Sequence, residues 1–317
     1  MRKVSVHIVT FNSSAYIRNC LNAVLQQNYP IDQIIVIDNN SHDETLSILA
    51  EFKNNIHLIV NKENVGFAPA HNQAFRLTES EYSLVLNPDV TLHPDYVLNL
   101  LKFVEDNLDK KIGSMTGKLL LSQSPDRIDS TGLKMTKARR AFDRGAGQSA
   151  DVWTKQDEVF GVSGAAALYL RQMIEDVSIE GSFFDDDFFA YKEDVDVAWR
   201  AQIMGWTAYF CPDAIAYHER GWKKESRHQI PVIIRRYSYI NRYKMIVKND
   251  HWLYILRDFP FILAYEIQSL VYFIIKEPSV LGAWGSFWRS LSRLLYKRRL
   301  IQSKKKSNNR RLFTFFE

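Results

Sequence analysis

Three groups of carboxylates stand where the chain could put them to chemical use: Asp89 in Leu84-Val85-Leu86-Asn87-Pro88-Asp89, Asp38 closing Ile34-Ile35-Val36-Ile37-Asp38, and the adjacent Glu193 and Asp194. The run before Asn87 is short, apolar and stops at a polar turn, the pattern of a buried strand in a parallel sheet. Ligands of open α/β sheets bind beyond the carboxyl ends of the strands, so Asn87 and Asp89 are expected at such a crevice. Pro88 fixes its own φ and drives Asn87 out of the helical region, which stiffens the turn. A carboxylate held rigidly there suits one job above others, holding a divalent cation against a diphosphate. The plainer alternative is a polar turn ahead of a helix opened by His93-Pro94.

Asp38, expected one strand over, could accept hydrogen bonds from a ribose hydroxyl or a pyrimidine N–H, or could simply form an Asx-turn before the next helix. Val195, Ala198, Trp199 and Ile203 share one helical face and Gly205 ends the pattern, so Glu193 and Asp194 fall in the first turn. The helix dipole favours carboxylates there, and one of the pair could serve as a general base with its neighbour orienting it. Acidic residues also favour helix starts with no chemical role. His218 could supply a nitrogen ligand to the same metal or be structural. Arg139, Arg140 and Arg144 could meet phosphate or belong to a solvated basic loop, and Asp185-Asp186-Asp187 reads as a solvated acidic loop between aromatic anchors.

The elements that must position these residues alternate. Val4 to Val9 reads as a strand, and Ile17, Cys20, Leu21, Val24 and Leu25 as one face of a helix capped by Asn12 or Ser13. Strands over 34–37 and 56–60, helices over 43–52 and up to Leu77, and a helix from Pro94 to about Asp106 complete successive crossovers. This predicts an α/β, doubly wound, mostly parallel sheet. Residues 122–158 are polar and read as a long loop, followed by small residues at 159–167 that permit close approach. Neither G-x-G-x-x-G nor G-x-x-x-x-G-K-[ST] occurs, so a diphosphate would need another counter-charge.

Of 41 Lys/Arg and 36 Asp/Glu, 12 and 4 fall in residues 251–317, leaving 29 and 32 in residues 1–250, so the net charge of +5 divides into +8 and −3. The basic character thus belongs to the tail, which argues against a nucleic-acid-binding core and for a segment that meets an anionic phospholipid surface. Cys20 and Cys211 are too few and dispersed for a disulfide framework or zinc site. The start leads straight into a strand pattern with no apolar signal region, so the body is expected in the cytoplasm. Residues 259–275 are apolar but hold Glu266 and Gln268, fall short of a full span, and precede the basic stretch Arg289 to Arg299. That pattern predicts helices lying in a membrane interface, with residues past Ser303 disordered.

Together these stretches resemble the family 2 inverting glycosyltransferases of the GT-A fold. VSVHIVTFNS (4–13), IIVIDNNSHDET (34–45), NVGFAPAHNQA (64–74), LVLNPDV (84–90) and FFAYKEDVDVAWR (188–200) occur in the family's order, over about residues 3–225. The NPD form, Asp129-Ser130-Thr131-Gly132 and FFAYKEDVD look most like bacterial rhamnosyltransferase-like members. The resemblance implies a GT-A catalytic domain at 1–225, a helical membrane-interface extension at 226–303 and a basic tail at 304–317. It implies that Thr10 and Asp38 hold the donor's nucleoside, with Asn87 and Asp89 beside them. Asp89 and His218 would hold Mg²⁺ or Mn²⁺, and Asp194, flanked by Glu193, would deprotonate the acceptor hydroxyl. The donor would be dTDP-rhamnose or a UDP-sugar, the acceptor a saccharide or lipid-linked saccharide, and the enzyme peripheral on the inner face of the cell membrane. Asn87 departs from the usual Asp-x-Asp, and an amide oxygen is the weaker ligand. A membrane-docked nucleotide-sugar-binding scaffold is the competing reading, and a sugar nucleotidyltransferase is disfavoured by the missing glycine-rich loop.

Overall fold

The computed structural model describes residues 1–220, 230–306 and 309–317. The β-branched and apolar opening forms β1 (Val4–Thr10), followed by α1 (Ile17–Leu25), β2 (Gln33–Asp38), α2 (Thr45–Glu51), β3 (His57–Val60), α3 (Phe67–Phe75) and β4 (Tyr82–Leu86). These strands pair in parallel in the order β3-β2-β1-β4. β2 and β4 flank β1 on opposite sides, so Asp38 lies two strands from the Asp89 turn, not one. Alternation sorts the side chains. Val6, Ile8, Val36, Leu84 and Leu86 pack with α1 on one face, and Ile35 and Ile37 pack with Ala70 and Ala74 of α3 on the other.

Residues before the next helix are used differently from the expectation. Val90–Leu92 forms a short strand, β5, so α4 (Tyr96–Glu105) starts at Tyr96 and Pro94 sits in the preceding turn. Likewise the first helix has Tyr16 as its N-cap without a side-chain bond, and Asn12 adopts φ +50°, so neither Asn12 nor Ser13 caps it.

The sheet then becomes mixed. β6 (Ile112–Leu121), β7 (Ser124–Ser130), β8 (Leu133–Met135), β9 (Ala141–Asp143), β10 (Asp157–Val159), β11 (Ala166–Leu170), α5 (Arg171–Val177), α6 (Glu193–Ile203) and β12 (Thr207–His218) follow. β11 runs antiparallel to both β4 and β6, β12 parallel to β6, and β5 antiparallel to β12. The stretch expected as a loop at 122–158 therefore carries β7, the β8–β9 hairpin and β10. Its buried hydrophobic residues, Ile128, Leu133 and Met135, are too sparse to show a period.

The C-terminal helices are α7 (Val232–Asn249), α8 (Trp252–Arg257), α9 (Phe259–Lys276), α10 (Pro278–Leu281), α11 (Trp284–Ser303) and α12 (Asn309–Thr314). The expected domain boundary at 225/226 lies outside the described residues. The end of the chain is ordered against the body: Leu312, Phe313 and Phe316 are buried, and Glu317 N–H donates to Met135 O at 3.0 Å. The acidic run at 185–187 is likewise no solvated loop. Lys248 contacts Asp185 and lies 2.9 Å from Asp196 of α6, while Lys297 contacts Asp185 and lies 2.6 Å from Asp187. Burial opposes charge on Asp185, but the two lysines outweigh it and hold its carboxyl well below the usual range. Arg139 is also internal, bonded to Asp250 at 2.7 Å and Asp258 at 2.5 Å, so its charge is neutralised within the protein and it does not belong to a solvated basic loop.

α9 is an 18-residue helix with mean hydropathy 1.3, long and apolar enough by length and composition to cross a membrane, so the sequence expectation of too short a segment is not upheld on that count.

Candidate active site

Asn87, Asp89, Glu193, Asp194 and His218 all line one cleft of about 520 Å³ at the carboxyl end of β4. The turn after β4 is fixed by its backbone: Asn87 N–H donates to Ala165 O at 2.9 Å, and Glu219 N–H donates to Asp89 O at 2.9 Å. Antiparallel pairing of β5 with β12 sets His218 opposite Val90, which brings its ring to Asp89. Nε2 stands 3.3 Å from Asp89 Oδ1, and Nδ1 meets Asp129 Oδ2 at 2.7 Å. Burial disfavours the imidazolium, but the Asp129 and Asp89 carboxylates outweigh it and push the ring up to about 9. Apart from its ion pair with His218, Asp89 Oδ1 is buried without a partner. The Asn87 amide has no partner among the described residues.

The opposite wall is the start of α6. Lys192, at φ +74°, precedes it, and Glu193 and Asp194 occupy its first turn. Asp194 accepts from Gly164 N–H at 3.2 Å and from Val195 N–H at 2.7 Å. The segment of small residues before β11 thus joins the two walls: Ala165 holds the Asn87 turn, and Gly164 holds Asp194. Burial raises the Asp194 carboxyl, and burial with the charge of Asp194 pushes Glu193 up to about 8. Desolvation therefore outweighs the helix-start preference that sequence suggests. Glu193 Oε2 is buried without a partner.

Thr10 and Asp38 are apart from this cleft. Both are fully buried, Thr10 Oγ1 donates to Asp38 Oδ2 at 2.8 Å, and Ser41 donates to Asp38 from N–H at 2.9 Å and Oγ at 2.6 Å. Their side chains order the Asn39–Ser41 turn and present no surface of their own.

Sequence reasoning missed Arg220 and Asp143. Arg220 lines the cleft and bridges Asp129 and Asp143. The signal was available: Arg220 stands two residues after His218, the spacing that returns a side chain to the same face of an extended segment. Among the described residues no three His, Cys, Asp or Glu side chains are grouped to hold a metal.

The family model for glycosyl transferase family 2 matches residues 5–178. A poly-beta-1,6-N-acetyl-D-glucosamine synthase of Staphylococcus epidermidis is 23% identical over 220 residues, 68% of this chain and 49% of that protein. The chain thus spans about half the length of that relative. The O-antigen chain rhamnosyltransferase RfbN of Salmonella typhimurium is 23% identical over 229 residues, 72% of this chain and 69% of that protein. Among solved structures, GalNAc-T7 with UDP, GalNAc and Mn²⁺ superposes with a TM-score of 0.62 at 13% identity, covering 78% of this chain and 49% of that one. The likeness establishes the GT-A fold, with a helical C-terminal region added. With more than half its length matched by the family model, the chain belongs to glycosyl transferase family 2.

Proposed function

We propose that the protein transfers a sugar, rhamnose or another hexose, from a nucleoside-diphosphate donor to a saccharide or lipid-linked acceptor with inversion, in bacterial surface polysaccharide synthesis. The observation that carries this reading is the convergence of Asp89 and His218 from one wall and Asp194 from the other on a single cleft.

Asp194 takes the proton of the acceptor hydroxyl, whose oxygen attacks the anomeric carbon as the opposite bond to the diphosphate breaks and the nucleoside diphosphate leaves. Glu193, kept neutral by burial and by Asp194, places no second negative charge beside the base. The donor's diphosphate lies toward Asp89, Asn87 and His218, with Arg220 a further cation on that wall. Thr10 and Asp38 act on the nucleoside by holding the turn at 39–41.

Mg²⁺ or Mn²⁺ fits this wall. Asp89 Oδ1 is buried with the His218 ring as its neighbour at 3.3 Å, an ion between them would displace the proton that the two carboxylates hold on that ring, and Asp129 orients the ring from behind, as second-shell carboxylates do for histidine ligands. Two protein donors suffice where substrate phosphates and water complete the shell. The bound ion supplies charge for the departing diphosphate.

The exposed apolar face of α9 and the basic tail support peripheral attachment to the inner face of the cell membrane. The anomeric configuration of the first product, read by NMR, tests the reaction: inversion is expected, and retention overturns the mechanism.

A further inference from the structure

Beside the cleft lies a second cavity of about 270 Å³, walled by Arg140, Lys192, Arg242, Tyr239, Tyr243 and Tyr265. We infer that it binds the phosphate of a lipid-linked acceptor whose hydrocarbon chain follows α9. This rests on the transferase reading and names its acceptor class.

The two cavities share two walls. Tyr191 and Glu193 line the cleft while Lys192 between them lines the second cavity, and Asp143 lines the cleft while Ala141 and Phe142 line the second cavity. Tyr191 at φ +70° and Lys192 at φ +74° both adopt the left-handed conformation that L residues rarely take. That turn puts Lys192 on the wall of the second cavity while Tyr191 and Glu193 face the cleft. Asn241 of α7 holds it, donating from Nδ2 to Ala190 O at 3.0 Å and Tyr191 O at 2.9 Å.

The charges in the cavity do not balance. Arg242 is neutralised, at 2.6 Å from Glu266 Oε1, and Tyr243 donates to the other oxygen of Glu266 at 2.5 Å. Arg140 lies 4.5 Å over the Phe142 ring and 4.7 Å over the Tyr265 ring. Among the described residues, neither Arg140 nor Lys192 has a carboxylate within ion-pair distance. Two cations with no carboxylate in ion-pair distance among the described residues suit a phosphate, which takes charge-assisted bonds from guanidinium and ammonium and further bonds from the phenols of Tyr239 and Tyr265.

α9 contributes Tyr265 and Phe273 to the cavity and carries an exposed apolar row of its own. Ile267, Leu270, Val271 and Ile274 are 56%, 48%, 50% and 55% exposed. The surface thus offers a cleft lined by carboxylates, a cationic cavity that shares two of its walls, and the exposed apolar face of a helix that lines that cavity. An amphiphile with saccharide, phosphate and hydrocarbon in that order matches all three. A free saccharide would use only the first.

The test uses the full-length protein and co-sedimentation with phosphatidylcholine vesicles carrying a few per cent of polyprenyl phosphate, of neutral polyprenol, or of phosphatidylglycerol at equal charge. Wild type is expected to favour polyprenyl phosphate over both others on the order of tenfold, and R140Q/K192Q to lose that preference while R140K/K192R keeps most of it. Thermal unfolding shows whether each variant is folded. Equal binding to polyprenyl phosphate and phosphatidylglycerol, or a preference retained by folded R140Q/K192Q, overturns the inference. Abolition of the preference by inorganic phosphate or pyrophosphate at comparable concentration overturns the lipid source and leaves a free-phosphate site. Nucleotide-sugar turnover, measured separately, distinguishes the two failures: a lost donor reaction with intact lipid preference sinks the transferase reading and not this site.

Discussion

His218 Nε2 and Asp89 Oδ1 face one another at 3.3 Å where β5 and β12 pair, and Asp129 holds the far ring nitrogen at 2.7 Å. If that ring serves a metal, removing its orienting carboxylate matters as much as the distance suggests. Asp129→Ala is expected to weaken metal-supported donor turnover about 10- to 100-fold, and Asp129→Asn less. A Mn²⁺ titration of activity checks this. Equal metal midpoints in wild type and Asp129→Ala would remove His218 from the metal's shell.

Asp194→Asn keeps the shape of the helix start and abolishes the base. Loss of about 10²- to 10⁴-fold in kcat is expected, with donor affinity by calorimetry unchanged. A variant retaining full kcat would assign the proton to another group.

Glu193 gives a stability signature. Its folded carboxyl sits near 8, above the ordinary value of 4.5, so the folded state binds the extra proton between those values. Its contribution to stability is therefore present in full below about 4.5 and is lost as pH rises towards about 8. Glu193→Gln removes the titration, so the variant should gain on wild type in Tm from pH 5 to pH 8. A Tm difference independent of pH would contradict the burial argument.

Lys248 sits fully buried between Asp185 and Asp196, two residues past the proposed base. Lys248→Met leaves both carboxylates buried with less compensation, and a loss of about 3–5 kcal/mol in denaturant unfolding is expected. If the loss stays below about 1 kcal/mol, a typical value for an exposed pair, the network is not what ties the C-terminal helices to α6.

The exposed row of α9 predicts partitioning. Leu270→Glu/Ile274→Glu should move the protein from the membrane fraction to the soluble fraction, and wild type should need detergent in addition to high salt for release. A wild type that is soluble without either removes the membrane proposal.

The sequence carried the first half of the sheet well, because β1 to β4 are short stretches rich in β-branched and apolar residues separated by helical segments. It also placed Asn87, Asp89, Glu193 and Asp194 at element ends, and these do meet in one cleft. What it could not carry was long-range pairing. β5 has three residues and pairs with β12, β7 buries only its last three residues, β8 two and β9 none, so no local period betrays them. The Asp185–Asp187 run was misread for a related reason: its lysine partners come from α7 and α11, far along the chain. Thr10 and Asp38 were legible as strand ends but not as partners of one another, since that bond depends on the register of β1 against β2.

The most direct test is binding and slow hydrolysis of a panel of nucleotide sugars, dTDP-rhamnose and UDP-hexoses included, with and without Mn²⁺ or Mg²⁺, on wild type and Asp89→Ala. One donor bound and turned over with metal, and lost in Asp89→Ala, is the predicted result, and it identifies the sugar. No binding of any donor at millimolar concentration would contradict the transferase account.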